Sequence, residues 1–124
     1  NIIYTEINHC PDFKLHFYAN RKTSKKHVIA LNNSVEYILK EHIGKEIKAC
    51  GNPAQIKYLK DKALINFGKK YPNQKFTAVI NNPMSRRFDF MIDQPSCVIG
   101  FVNTYKGNIQ INVKGFDNIV RYHQ

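Results

Sequence analysis

With 124 residues, 43% of them hydrophobic and 12% aromatic, the chain has the size and composition of one folded domain, too short for two and too apolar for a disordered tail. No run of about 18 apolar residues occurs, so we expect no membrane-spanning helix. The 19 lysines and arginines against 9 acids give a net charge of +10, which favours a partner that carries phosphate, in nucleic acid or on a lipid surface, or an acidic protein.

A basic N-terminal segment comes first in the chain. Residues 13–35 contain lysines, an arginine and two histidines, and no acid. Most basic runs are solvated surface, but the absence of a compensating Asp or Glu favours a loop that faces an anion. Lys22 and Lys25 are therefore candidate RNA-binding residues, and Lys26 and His27 follow them directly.

Two helices are predicted next. Asn33 can cap the first, which ends at Gly44 or continues to residue 51. The second covers residues 52–68 and has Pro53 at the first helical position, where proline is favoured. Their apolar stripes at helical spacing are Val35, Ile38, Leu39, His42, Ile43 and Ile47 in the first helix, and Ile56, Leu59, Ala63, Leu64 and Phe67 in the second.

The stretch from Lys75 to Lys114 alternates between apolar and polar residues, the pattern of a sheet with one packed face and one wet face. Turn-forming residues interrupt it at positions 81–83, 93–96 and 106–108. The pattern predicts four antiparallel strands in a meander, and the tail from residue 116 to 124 can add a fifth, edge strand.

The predicted fold class is therefore α+β, a basic N-terminal segment and two helices packed on one face of a four- to five-stranded antiparallel sheet. The whole chain, residues 1–124, is expected to be a single domain. The other face of the sheet is expected to be open, concave and positively charged, which suits a single-stranded nucleic acid.

Three cysteines, Cys10, Cys50 and Cys97, are far apart in the sequence. At most one disulfide can form among them, and no close pair has the spacing of a zinc site. We expect three structural thiols in a reducing compartment.

The basic residues suggest a metal-independent ribonuclease, which needs a base for the 2′-hydroxyl, an acid for the leaving oxygen and a cation for the phosphorane. The predicted catalytic residues are His27, Lys26, Arg87 and Thr104, and no cofactor or metal is required. Lysines beside His27 would lower its pKa and favour the neutral form that a general base needs. The predicted RNA-binding residues are Lys22, Lys25, Arg86, Tyr105, Lys114, Arg121 and His123.

Each of these residues also has a structural interpretation. His27 can be a partly buried core histidine, Arg87 and Asp89 can each pair with neighbours across the sheet, and Thr104 can simply favour a strand. Three other functions remain open: a non-catalytic nucleic-acid-binding module in which Tyr105 and Tyr122 stack on bases, a domain that docks an acidic protein, and a metal-dependent DNase. The last is the weakest, because carboxylates are scarce.

The predicted order of elements and three short motifs resemble the barnase/EndoU/colicin/RelE group of ribonucleases, in particular the C-terminal toxins of contact-dependent growth inhibition and colicin D-like tRNA nucleases. The motifs are Lys25-Lys26-His27, Arg86-Arg87-Phe88-Asp89 and Thr104-Tyr105. The resemblance implies a tRNA endonuclease toxin at the C-terminus of a larger secreted protein, which suits a chain that begins with Asn1. It also implies an acidic immunity protein as partner, secretion from a producing bacterium and action in the cytoplasm of a target cell.

Overall fold

The computed structural model describes residues 15–18, 27–30, 39–83, 87–113, 115 and 119–121, with the backbone only at 15–16, 27–30 and 120–121. These residues form one mixed sheet of nine strands, a helical turn at residues 39–41 and a 3-10 helix at Asp89–Met91. The strands are β1 (Leu15–Tyr18), β2 (His27–Ala30), β3 (Glu46–Gly51), β4 (Pro53–Tyr58), β5 (Lys62–Phe67), β6 (Phe76–Asn81), β7 (Ser96–Tyr105), β8 (Asn108–Val113) and β9 (Ile119–Arg121).

The predicted α+β class is wrong, because both helices give way to strands where the structure describes them. The second predicted helix is the β4–β5 hairpin, closed by a hydrogen bond of 2.8 Å from Leu59 N to Lys62 O. The apolar residues of this segment also fit the spacing of a strand, and in the structure Ala63, Ile65 and Phe67 are buried on one face of β5. In the described part of the first predicted helix, residues 39–41 are helical and residues 46–51 form β3; its cap, Asn33, and residues 34–38 lie outside the described residues.

The predicted sheet region is partly confirmed. Strands β6, β7 and β8 lie within residues 75–114 as predicted, and β9 pairs with β7 in the tail. The meander is wrong, however, because β6 pairs with β8 in parallel and is not a neighbour of β7. The alternation of Phe88, Phe90 and Ile92 also misled: this segment contains the 3-10 helix, and Phe88 and Met91 are the residues that it buries in the core.

The sheet closes on itself at Asn52. β3 pairs with β7, β7 with β8, β8 with β6, β6 with β5 and β5 with β4. Since Asn52 alone separates β3 from β4, these two form one bent strand and the pairings return to their starting point. Pro53 is tolerated here as the first residue of its strand.

Counted as five strands, with β3 and β4 as the first, the pairing order is first, second, third, fifth, fourth and back to the first. The third and fifth strands, β6 and β8, are the parallel pair. This connectivity is that of the oligonucleotide/oligosaccharide-binding fold, the OB-fold. β1 and β2 extend the sheet beyond β3.

One hydrophobic cluster fills the interior of the closed sheet. Phe67 stacks on Phe76 with ring centroids 4.5 Å apart, and Phe17 of β1 contacts Phe76 at 5.6 Å although β3, β7 and β8 separate their strands in the sheet. Only a strongly curled sheet brings these rings together. The other interior residues are Leu39, Ile47, Ala49, Ala63, Ile65, Ala78, Ile80, Phe88, Met91, Val98, Val102, Ile111 and Val113.

A disulfide joins Cys50 of β3 to Cys97 of β7, so the predicted set of three free thiols is wrong. The two residues are directly paired across the strands with Cα atoms 4.0 Å apart, the close approach of a cross-strand pair. Cysteine spacing in the sequence gave no sign of this, because the two residues are 47 positions apart. The bridge ties β3 to β7, and a loop of that length corresponds to about 4 kcal/mol of stabilisation in the chain-entropy account.

No helix in the described part of the chain is long and apolar enough to cross a membrane.

Gly100 gives a test of the closed sheet. It pairs with Ile47 on one side and with Val113 on the other, and a Cβ there would lie 2.8 Å from the carbonyl carbon of Asn112. Backbone cannot move aside as a side chain can, so we expect Gly100→Ala to lower the free energy of unfolding by at least about 2 kcal/mol in urea titration. Gly115→Ala is the matched control, since nothing lies within 4 Å of its Cβ position. Equal stability of the two variants would contradict the pairing described here.

Candidate functional site

A groove of about 720 Å³ crosses the outer face of the sheet over β4, β5, β6 and β8. The loop from Gly68 to Lys75 bounds it on one side and the β7–β8 turn at Lys106–Gly107 on the other. Its polar lining residues are Gln55, Lys57, Asn66, Tyr71, Gln74, Lys75, Thr77, Tyr105, Asn108 and Gln110. No acidic side chain is among the described residues that line it.

A row of polar side chains forms the floor of the groove and continues to β7. Strand register places Gln55, Asn66, Thr77, Gln110 and Asn103 next to one another on β4, β5, β6, β8 and β7. These residues alternate with the interior residues of the same strands and therefore share the outer face. We call them the polar row.

Hydrogen bonds order one half of the polar row. Thr77 Oγ1 donates to Asn66 Oδ1 at 2.8 Å, and Asn66 Nδ2 donates to Gln55 Oε1 at 2.9 Å. Gln74 Nε2 donates to Thr77 Oγ1 at 3.3 Å from the loop side. Asn66 is buried, and its amide makes a bond at both ends, which offsets the cost of removing it from water.

The loop from residue 68 to 75 is held against the row from both ends. Tyr71 N donates to Gln55 Oε1 at 2.9 Å, Lys75 N donates to Phe67 O at 2.8 Å, and Gly68 N donates to Asn52 O at 2.8 Å. Gly68 adopts a φ of 90°, which glycine reaches without strain. The wall of the groove is therefore a fixed loop.

Aromatic and cationic side chains surround the groove. The rings of Tyr71 and Tyr105 are 70% and 57% exposed, and such large aromatic surfaces in water are usual at binding sites. Lys57 and Lys75 line the groove, and Lys106 Nζ lies 5.4 Å from the centre of the Tyr105 ring. The combination offers stacking surfaces, cations and amide hydrogen bonds in one acid-free depression.

Arg87, a predicted catalytic residue, is engaged elsewhere. Its Nε donates to Asp89 Oδ2 at 3.3 Å and its guanidinium carbon lies 3.8 Å from the centre of the Tyr58 ring. Tyr58 accepts a hydrogen bond from Phe88 N at 2.7 Å and donates to Asp89 Oδ1 at 3.0 Å. The structural interpretation paired Arg87 with a neighbour across the sheet, but its ion-pair partner is Asp89, two residues along the chain and in the 3-10 helix. The guanidinium remains 65% exposed.

The other predicted catalytic residues lie in different parts of the sheet. His27 begins β2, whose strand partner is β1, and its side chain is not described. Thr104 is exposed near the end of β7, next to Tyr105. Within the described residues no hydrogen bond joins Arg87 to Thr104. Lys26 lies outside the described residues.

Of the predicted RNA-binding residues, the structure places Tyr105 at the groove. Arg121 belongs to β9, where it pairs with Ser96, and only its backbone is described. The predicted residues that lie outside the described part of the chain are Lys22, Lys25, Arg86, Lys114 and His123.

Sequence reasoning missed Gln55, Asn66, Tyr71 and Thr77. Gln55 and Asn66 fall within the second predicted helix, Tyr71 falls between that helix and the predicted sheet, and Thr77 falls within the predicted sheet without a functional signal of its own. The alternation from Ala63 to Phe67, with Leu64 and Asn66 between the buried residues, was the available signal.

Metal ligands do not cluster in the described part of the chain: no group of three His, Cys, Asp or Glu side chains lies close enough together to hold an ion.

Comparisons with protein-family models, with curated proteins and with solved structures found no match. The assignment of the OB-fold therefore rests on strand order and direction.

The Tyr58 hydroxyl gives a test of the Arg87 cluster. Burial raises its pKa above the ordinary value of 10.0; the hydrogen bond to Asp89 and the charge of that carboxylate raise it too, while the hydrogen bond from Phe88 and the charge of Arg87 lower it. A raised pKa in the folded state means that the stabilising contribution is complete below pH 10 and is lost as the pH rises through the folded-state pKa.

We expect Tyr58→Phe to lower the free energy of unfolding by roughly 1–2 kcal/mol at neutral pH, because Asp89 and Phe88 N lose a partner. The difference from the unmodified chain should shrink above pH 10, measured by urea titration at several pH values. Tyr105→Phe is the control. Because Tyr105 is exposed, removal of its hydroxyl should leave the free energy of unfolding unchanged at each pH. A difference that persists at the highest pH would show that the hydroxyl does not carry the effect.

Proposed function

We propose that this domain binds single-stranded nucleic acid, RNA in the first place, in the groove between the 68–75 loop and the β7–β8 turn. The observation that carries the proposal is the composition of the groove: two exposed tyrosines, two lysines and a row of amides, with no acid in the described lining. Proteins that hold single strands combine these parts, since bases stack on aromatic rings while cations follow the phosphates.

The cations favour nucleic acid over oligosaccharide. Amides and tyrosines bind sugars as readily as bases, but a neutral sugar gains nothing from Lys57 and Lys75 or from a net charge of +10. A double helix fits less well, because its bases are stacked internally and cannot reach Tyr71 or Tyr105.

Analogy at the level of fold points to the same face. OB-folds bind oligonucleotides and oligosaccharides across their second and third strands, with two flanking loops. Here those strands are β5 and β6, which carry Asn66 and Thr77. Fold alone does not establish function, so the argument depends on the lining of the groove.

The tyrosines supply the first test. Tyr71→Ala and Tyr105→Ala should each weaken binding of a fluorescein-labelled oligouridine dodecamer about tenfold, because stacking one base contributes roughly 1–3 kcal/mol. Fluorescence anisotropy measures the dissociation constants at a fixed salt concentration. Lys57→Ala should reduce the dependence of binding on salt by about 0.7 in the logarithmic slope.

Lys45→Ala is the matched control for Lys57→Ala. It removes an identical charge from the exposed turn before β3, which does not line the groove. If Lys45→Ala reduced the salt dependence as much as Lys57→Ala, binding would be diffuse and the groove would not be the site.

A metal-independent RNA endonuclease toxin, most naturally one that cleaves tRNA, is a second proposal. Thr104, its predicted catalytic hydroxyl, is exposed near the end of β7 and precedes Tyr105, which lines the groove. His27 as general base, Lys26, an acidic immunity protein and delivery into the cytoplasm of a target cell remain predictions of the same hypothesis.

Incubation with total tRNA in EDTA tests the endonuclease. Cleavage that His27→Ala abolishes, with the free energy of unfolding changed by less than about 1 kcal/mol, would support it. Thr104→Val should slow cleavage while retaining binding of the oligouridine dodecamer. If tRNA stays intact under conditions where that dodecamer still binds, the endonuclease proposal fails and only the nucleic-acid-binding function remains supported.

A further inference from the structure

The amide of Gln55 is fixed in one orientation. Its Oε1 accepts hydrogen bonds from Tyr71 N and from Asn66 Nδ2, both at 2.9 Å. A backbone N–H can only donate, so the oxygen must face Tyr71 and the amide cannot turn over without losing that bond. The Nε2 group of Gln55 is therefore a fixed donor, and within the described residues it has no acceptor of its own.

This donor lines the same groove as an exposed aromatic residue. Tyr71 N donates to the Gln55 amide, and Tyr71 is 70% exposed. Because both residues line the groove, a base that stacks on the Tyr71 ring can present its edge to Gln55 Nε2. The buried acceptor Gln74 Oε1 does not compete for it, because it lies beneath the surface of the groove.

We propose that Gln55 makes the groove selective for uracil over cytosine, an inference that rests on the proposed function. At the 4-position uracil carries the acceptor O4 and cytosine the N4–H₂ donor, while at the 3-position uracil carries an N–H donor and cytosine an acceptor nitrogen. In the proposed complex the fixed NH₂ group therefore lies opposite the 4-position, where it binds uracil O4 and repels cytosine N4–H₂. Gln110 also lines the groove, but no side-chain hydrogen bond fixes its amide within the described residues, so it can rotate to serve either base.

The test compares labelled dodecamers of uridine and of cytidine by fluorescence anisotropy. Both are weakly stacked pyrimidine strands of equal charge, so stacking and phosphate contacts largely cancel. The unmodified chain should prefer uridine about fivefold, the worth of one hydrogen bond. Gln55→Glu keeps the acceptor for Tyr71 N and Asn66 but replaces the donor with a carboxylate oxygen, which accepts from cytosine N4. The preference should then vanish or reverse.

Asn73→Asp is the matched control, because it adds the same charge to the exposed loop beside the groove, at a residue that does not line the groove and makes no hydrogen bond to Gln55. It should weaken both dodecamers equally and leave their ratio near fivefold. A dodecamer of pyrimidin-2-one ribonucleosides, which lack the 4-substituent, should bind the unmodified chain less tightly than oligouridine; this arm requires no variant to fold.

The outcomes distinguish failure of the proposed single-strand binding from failure of the selectivity assigned to Gln55. If neither dodecamer binds, the proposed function fails. If both bind equally well, or if Gln55→Glu and Asn73→Asp leave the same ratio, the groove binds single strands and the selectivity assigned to Gln55 is overturned.

Discussion

The bend at Asn52 is the constraint on which the rest of the structure depends. One residue separates a segment that pairs with β7 from a segment that pairs with β5, so a single strand closes the sheet. Closure creates an interior, which one cluster of apolar side chains fills, and an exterior, on which the polar row can lie across neighbouring strands. Cys50 and Cys97 fasten β3 to β7 on the same side of the bend. Interior packing and the groove are thus consequences of one local geometry.

The two faces of the closed sheet are stabilised in different ways, the inner face by burial of apolar side chains and the outer face by hydrogen bonds. Inward residues gain stability by leaving water, and Ala63, Ile65 and Phe67 do so completely. Outward residues at the groove are partly buried and polar, so each needs a partner. Asn66 bonds to Thr77 Oγ1 and to Gln55, and Gln55 also accepts from Tyr71 N. The last bond holds the 68–75 loop against the sheet. A surface that is ordered before a ligand arrives loses less entropy when the ligand binds.

Strands were predictable where alternation ran unbroken and turn residues marked both ends, as in β6 and β8. The β4–β5 hairpin was not, because its turn at Leu59–Lys62 contains neither glycine nor proline and Lys57, Lys60 and Lys62 imitate the solvated face of a helix. The groove was missed for the same reason, since half of its floor was assigned to that helix. Tyr105 was predicted as an aromatic residue beside a Lys-Gly turn, and the structure places it, exposed, at the groove; its role in binding stays a prediction.

Composition and arrangement lead to different conclusions about Arg87. As a cation in a basic chain it suggested transition-state stabilisation, yet Asp89 forms an ion pair with it and the Tyr58 ring lies against its guanidinium. Lys57 and Lys75 belong to no motif in the sequence, but they line the groove, whose described lining residues include no acid. A cation stabilises a phosphate only when its charge is not already satisfied, so the location of acids determines which basic residues can act. On that criterion the outer face of β4, β5 and β6 is the better place for a sugar–phosphate backbone.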